Sequence, residues 1–281
     1  MRRHGTVRDP RRIRSARGRQ VLCHSQTPHL HTQRLIHHAT VLATMNLILL
    51  SPQDVIAEGC AVVRDPRRLH HLREVHRATP GTHLTVGLAG GRMGKAELSA
   101  LSADQATFHF APLTETPPPA LPVHLVLALP RPRMLARTLE HVTALGVKEI
   151  TLLHTRRVEK SYWQSPELTP EKIHQHLVLG LEQARDTQLP SVTLRRGFRP
   201  FVEDILPELI AGRRGLVAHP GMAQACPRAL TEPTLLAVGP EGGFIDWEIE
   251  QLLAAGCEGM HMGPRILRVE TAVTALLARL F

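Results

Sequence analysis

Aromatic side chains are scarce in this 281-residue chain: six Phe, two Trp and one Tyr, 3% of the total. A surface that grips nucleic acid mainly by stacking bases on rings is therefore poorly provided for. Phe244, Trp247, Tyr162 and Trp163 are the few candidates. Cysteine is scarce too, and Cys23, Cys60, Cys226 and Cys257 lie far apart with no CxxC pair. That spacing argues against a zinc site or a disulfide framework and for a reducing, cytoplasmic setting. No apolar run approaches the roughly 20 residues that span a bilayer. Val123–Leu129 is among the longest, so no membrane partner is expected. GxGxxG, GxxxxGK[ST] and GxSxG are all missing, which removes the usual phosphate cradles and the serine nucleophile elbow. The pairs His70/His71 and His174/His176 stand in no metal-site context, and no metal is expected.

Charge of both signs is ordinary in amount, but its placement is not. Residues 1–44 hold nine arginines against the single acid Asp9, and so carry all but one unit of the formal net charge of +9. The body of the chain is nearly neutral, so any nucleic-acid reading rests on local patches. The opening 44 residues show no apolar core pattern before Leu35 and no secretory h-region, and read as a basic, disordered extension. Met45, directly before the strand-like Asn46–Leu50, is the expected true start.

From residue 45 to 115 the pattern is of short strands, with Leu47–Leu50, Leu84–Leu88, Ala96–Leu101 and Thr107–Phe110 as candidates. One helix is expected over Arg67–Arg77, with Asp65 as cap and Pro66 in its first turn. A small β-barrel or open β-sheet domain follows from this. Residues 116–122 belong to a proline-rich piece that reads as a linker. From 123 to 281 strands alternate with helices, which predicts an α/β domain with a parallel sheet covered on both faces.

In such sheets ligands bind beyond the carboxyl ends of the strands. Three loops there share Gly and Pro after a short apolar strand: Ala218-His219-Pro220-Gly221, Gly239-Pro240-Glu241-Gly242-Gly243, and Met262 to Thr271. Glycine lets a ligand approach the backbone closely, and proline fixes a turn. Three such loops on successive strands predict a binding site built from main-chain groups.

The pair "GPEGGF" and "MGPRILRVETA" resembles the RsmE family, bacterial methyltransferases of uridine N3 in small-subunit (16S) ribosomal RNA, within the SPOUT superfamily. "LEHVTALGVKEI", "LEQARDTQLP", "AHP" and "HHLREVHRATPG" extend the resemblance from about Met45 to the end. It implies a PUA-like β-barrel RNA-binding domain, then a SPOUT domain with a parallel sheet and a trefoil knot. It also implies S-adenosylmethionine (SAM) as methyl donor, a homodimer, and ribosomal RNA or the small ribosomal subunit as partner. Carried over by position, Ala218, His219, Gly239, Gly242, Met262, Gly263, Ile266 and Leu267 would line the donor pocket. Two departures stand out: Asp186 occupies the family's usual arginine position, with Arg185 one place earlier, and Arg131, Arg133 and Arg137 replace lysines.

Uracil N3 lies on the Watson–Crick edge and carries a proton, so the base must be splayed out and its anion stabilised. Arg268 is the expected stabiliser, and Glu270 the proton acceptor, the arginine's orienter, or a charge capping the last helix. Their i, i+2 spacing puts them on one side of an extended loop. For phosphate contacts the candidates are Arg64, Arg67, Arg68, Arg73 and Arg77, with Arg131 and Arg133 opening the second domain. The competing readings are a SPOUT methyltransferase acting on another ribosomal or transfer RNA nucleotide, and a non-catalytic RNA-binding assembly factor.

Overall fold

The computed structural model describes residues 46–281. The expected basic extension at residues 1–44 and the start at Met45 lie outside these residues.

Six strands form the first sheet: β1 Ile48–Leu50, β2 Val55–Ala57, β3 Cys60–Val63, β4 His83–Leu88, β5 Met93–Leu101 and β6 Ala106–His109. Their order is β1-β4-β5-β6-β3-β2, and every pairing is antiparallel except β1 with β4. β1 and β2 are the two edges and no ladder joins them, so among the described residues the sheet is open and not a closed barrel. β5 shows why the sequence folds this way: Ala96 and Leu98 are buried, while Lys95, Glu97 and Ser99 are exposed. Period-two alternation gives one core face and one solvated face. Helix α1, Pro66–His70, starts where Asp65 accepts the Arg68 amide at 2.8 Å and continues as a π turn over His71–Val75. The β2–β3 hairpin is an addition to the expected elements.

The second sheet holds β7 Val123–Ala128, β8 Glu149–Leu153, β9 Ser191–Arg195, β10 Arg214–Ala218, β11 Gln224–Ala225, β12 Thr234–Val238 and β13 Glu258–His261. All its pairings are parallel, in the order β11-β13-β10-β12-β7-β8-β9. Every residue of β7 and β12 is buried, which requires cover on both faces. That cover comes from α2 Pro132–Ala144, α3 Pro170–Ala184, α4 Phe198–Pro200, α5 Leu206–Ile210, α6 Asp246–Ala254 and α7 Val269–Leu280. In α2 the buried Leu135, Leu139 and Val142 recur at helical spacing, and Gly146 follows at φ +92.

The two sheets meet through α3. Leu47, Leu49 and Met93 pack against Val178 and Leu181 in a small apolar cluster. Beside it the buried Glu182 lies 2.7 Å from Arg67 and 3.1 Å from Arg68. The Thr187 hydroxyl donates to the Gly91 carbonyl at 2.6 Å, and the Gly90 amide donates to Thr187 at 2.8 Å. Asp186, at the position where the resemblance departs, is buried and lies 2.6 Å from Lys148. Among the described residues no helix is long and apolar enough to cross a membrane.

Candidate functional site

β10 lies between β12 and β13, and all three run in one direction. Their register sets Ala218 level with Val238 on one side and with Met260 on the other. The loops that follow therefore leave the sheet side by side, although they are 20 to 40 residues apart in sequence. Together with α7 they enclose a cavity of about 250 Å³. All eight residues expected at a donor pocket, Ala218, His219, Gly239, Gly242, Met262, Gly263, Ile266 and Leu267, line it. Val269, Ala272 and Leu276 of α7 add an apolar wall.

Packing explains the glycines. A Cβ on Gly239 would lie 2.9 Å from the Phe244 backbone nitrogen, closer than such contacts allow. The loop thus folds back on itself over buried Phe244, with the Gly243 amide donating to the Pro240 carbonyl at 2.8 Å. Gly263 has φ +104, a conformation that L side chains rarely adopt, and its amide donates to His261 Nδ1 at 2.9 Å. These turns leave main-chain edges and small residues around the cavity, as a ligand held by backbone groups requires.

The carboxylate in the Gly-Pro loop also has a place. Glu241 Oε1 accepts the Arg131 amide at 3.0 Å, at the start of α2. No side chain on Arg131 itself caps that helix, so Glu241 brings a negative charge to its unsatisfied positive end. From β8's side, Arg157 donates to the carbonyls of Gly242 and Phe244. Buried Glu248 accepts the Arg156 amide at 2.7 Å and the Ile245 amide at 3.0 Å, fixing the entry to α6. Sequence reasoning passed over Arg157 and Glu248, because nothing local marks a partner some 90 residues away.

Arg268 and Glu270 depart from the expected geometry. Arg268 occupies the N-cap position of α7 without a side-chain cap hydrogen bond, and Glu270 lies inside the first turn. They do not share one side of an extended loop, because the helix begins between them; at i, i+2 on a helix, side chains diverge. Neither lines the cavity, but Arg268 is exposed and directly precedes Val269 on its wall. The guanidinium-bearing residue on the lining itself is Arg265. Glu270 sits where the α7 dipole favours an anion.

The arginines named for phosphate contacts divide into two groups. Arg67 donates to Glu182 at 2.7 Å, while Arg68 is within ion-pair distance of Glu182, at 3.1 Å, and of Asp54, at 3.5 Å. Arg73 donates to the backbone carbonyls of Leu69 and Ser102. Arg64, Arg77, Arg131 and Arg133 are exposed and form no ion pair among the described residues. No three His, Cys, Asp or Glu side chains among the described residues converge as a metal site requires.

Comparison with known proteins places this arrangement in context. An RNA methyltransferase domain family model matches residues 117–281. The ribosomal RNA small subunit methyltransferase E of Treponema pallidum (strain Nichols) is 33% identical over 245 residues, covering 83% of this chain and 90% of that protein. The protein of the same name from Synechocystis sp. (strain ATCC 27184 / PCC 6803 / Kazusa) is 29% identical over 236 residues, 83% of this chain and 76% of that one. A crystal structure of a ribosomal RNA small subunit methyltransferase E from Neisseria gonorrhoeae, bound to S-adenosyl methionine, shares the fold. Its TM-score is 0.64 at 22% identity, over 83% of this chain and 95% of that one. The chain belongs to the ribosomal RNA small subunit methyltransferase E (RsmE) family of RNA methyltransferases.

Proposed function

We propose that the chain transfers a methyl group from SAM to N3 of a uridine in small-subunit ribosomal RNA. One observation carries this reading: the loops of three adjacent parallel strands enclose a single cavity walled by backbone turns and apolar side chains. The lining fits SAM's chemistry. Met262, Ile266, Leu267 and Leu276 offer apolar surface for a flat adenine, and peptide groups around Gly239, Gly242 and Gly263 offer donors and acceptors for its edge and ribose. The family, and the SAM-bound relative from Neisseria gonorrhoeae, support the choice of donor.

When bound, SAM supplies an electrophilic methyl group on a sulfonium. The protein's task is to bring an unpaired uracil to it and to lower the cost of the N3 anion. In this reading the exposed Arg268, which precedes Val269 of the cavity wall, supplies the guanidinium that stabilises charge on the uracil carbonyl oxygens. Glu270, in the first turn of α7, serves as acceptor for the N3 proton, and its negative charge also complements the start of the helix. The exposed Ile266 closes over the ligand's apolar side and excludes water.

In this reading the three loops are the crossings of a trefoil knot, and residues 45–115 form a PUA-like platform that presents RNA to the domain at 123–281. Arg64, Arg77, Arg131 and Arg133 contact phosphates, and two copies of the chain work as a homodimer in the cytoplasm. The test is transfer of labelled methyl from SAM to small-subunit ribosomal RNA, followed by mapping of the modified base. A labelled uridine N3 is expected. Label on another base, or on transfer RNA alone, would move the chain to a different RNA target.

A further inference from the structure

The carboxyl edge of the second sheet does not end at the cavity. β7, β8 and β9 continue it, and their register sets Ala128 level with Leu153 and Leu153 level with Arg195. The segments that leave these strands, residues 129–133, 154–160 and 195–199, contain eight Arg or Lys residues and one acid, Glu159. The segments that enter the same strands, 117–122, 145–148 and 185–190, contain only Lys148, Arg185 and Asp186. There Lys148 is paired with Asp186, and Arg185 lies 3.4 Å from Glu115. In a body that is nearly neutral, positive charge is thus concentrated at the carboxyl ends of these three strands.

These cations are also available. Arg131, Arg133, Arg156 and Arg195 are exposed, with no ion pair among the described residues. Arg196 lies over the Trp163 ring, 5.0 Å from its centroid, and Trp163 Nε1 in turn donates to His154 Nδ1 at 2.8 Å. That stack holds one guanidinium in place with its edge donors unused. Arg199 is paired with Glu203 and Arg157 is engaged by the Gly242 loop, so both serve the frame. The row is continuous with the cavity, because Arg131 and Arg157 each bond directly to the loop that lines it.

We propose that this edge is the path of the RNA strand leaving the site. On it Arg131, Arg133, Arg156, Arg195 and Arg196 bind phosphates of the nucleotides flanking the target base. The proposal rests on the methyltransferase reading above and specifies how its substrate is held. Strands about 4.8 Å apart put the three arginine-bearing loops across on the order of 10 Å, the rise of about three nucleotides. The scarcity of exposed aromatics fits a strand bound by its backbone, with bases free to leave the surface.

The experiment is a salt titration of binding to transcribed small-subunit ribosomal RNA, for the full chain and for Arg133→Gln/Arg156→Gln/Arg195→Gln. Loss of three single-strand phosphate contacts lowers the slope of log K against log salt by about 2. Affinity at moderate salt should drop at least about tenfold, and KM for RNA should rise while kcat stays within about twofold. Arg214→Gln removes a charge at the opposite end of the sheet, where Arg214 pairs with Glu232 and Glu258, and should leave the slope unchanged. An unchanged slope in the triple variant, or an equal loss in Arg214→Gln, overturns the path. If the triple variant fails to fold, Arg156→Gln and Arg195→Gln singly should each lower the slope by about 0.7. SAM calorimetry on the same samples separates the two ideas: a wild type that binds RNA through this edge but not SAM refutes the methyltransferase reading and keeps the path.

Discussion

Arg157 lies across Gly242. Its Cδ stands 3.0 Å from where a Cβ on Gly242 would be, and its guanidinium donates to the Gly242 carbonyl. One arginine from the loop after β8 therefore braces the loop after β12, and the cavity's shape depends on a contact between segments 85 residues apart. Arg157→Ala removes two hydrogen bonds that tie down the loop, each worth about 1 kcal/mol. SAM affinity should fall roughly tenfold with little change in melting temperature. A Kd equal to wild type would show that the loop holds its form without the brace.

Glu182 joins the two sheets. It is buried, and both of its cationic partners come from α1 on the first sheet. Removing Glu182 leaves the part-buried Arg68 with Asp54 alone, 3.5 Å away, and Arg67 with solvent and Asp65 at 4.0 Å. Glu182→Gln should lower unfolding free energy by about 3 kcal/mol in urea titrations. SAM binding to the folded variant should stay near wild type, because Glu182 does not touch the cavity.

Stability should weaken in mild acid, and His124 is one cause. Burial pushes its pKa below the ordinary value of 6.5, against the opposing pull of Glu149 and together with a smaller repulsion from Arg213. Its Nδ1 lies 2.9 Å from Glu149 and its Nε2 2.8 Å from Thr151, so the neutral ring donates to the carboxylate and accepts from the hydroxyl. A histidine whose folded pKa is depressed protonates first in the unfolded chain. Its contribution is complete above about pH 6.5 and is lost as pH falls below that value. Burial shifts His71, His76 and His154 in the same direction. The melting temperature should be level near pH 7.5 and decline toward pH 5.5, and His124→Gln should decline less steeply. Parallel profiles for the two proteins would remove His124 from the account.

The buried thiols should be inert. Burial drives Cys257 up to about 11 and raises Cys226 as well. The reactive thiolate of Cys257 is then about one part in a thousand at pH 8. Iodoacetamide followed by mass spectrometry should label the partly exposed Cys60 well before Cys226 or Cys257, and urea should abolish the difference. Early labelling of Cys257 would contradict its burial.

How much of this was legible in the sequence depended on distance along the chain. The carboxyl-edge loops could be located because each signal is local: an apolar strand, then Gly and Pro. The apolar stripe of α2 and the Asp65 cap are local in the same sense. The hairpin of β2 and β3 was missed because neither strand alternates: β2 has no buried residue and β3 is buried over three successive residues. Arg67 and Arg68 read as phosphate ligands because their carboxylate, Glu182, lies 115 residues beyond Arg67. Arg268 and Glu270 were set on an extended loop because α7 starts one residue after Arg268, a boundary that periodicity places only loosely. Arg156, Arg195 and Arg196 drew no notice in sequence because only the parallel register of β7, β8 and β9 gathers them at one edge.

The central claim is that the cavity beyond β10, β12 and β13 holds SAM through turns that only glycine permits. Calorimetric titration of SAM into the wild type and into Gly239→Ala tests it directly. The wild type should bind with saturable heat at one site per chain. Gly239→Ala, whose new methyl meets the Phe244 backbone, should bind at least about tenfold more weakly while remaining folded. No heat from the wild type, or equal affinity in the two proteins, would contradict the account.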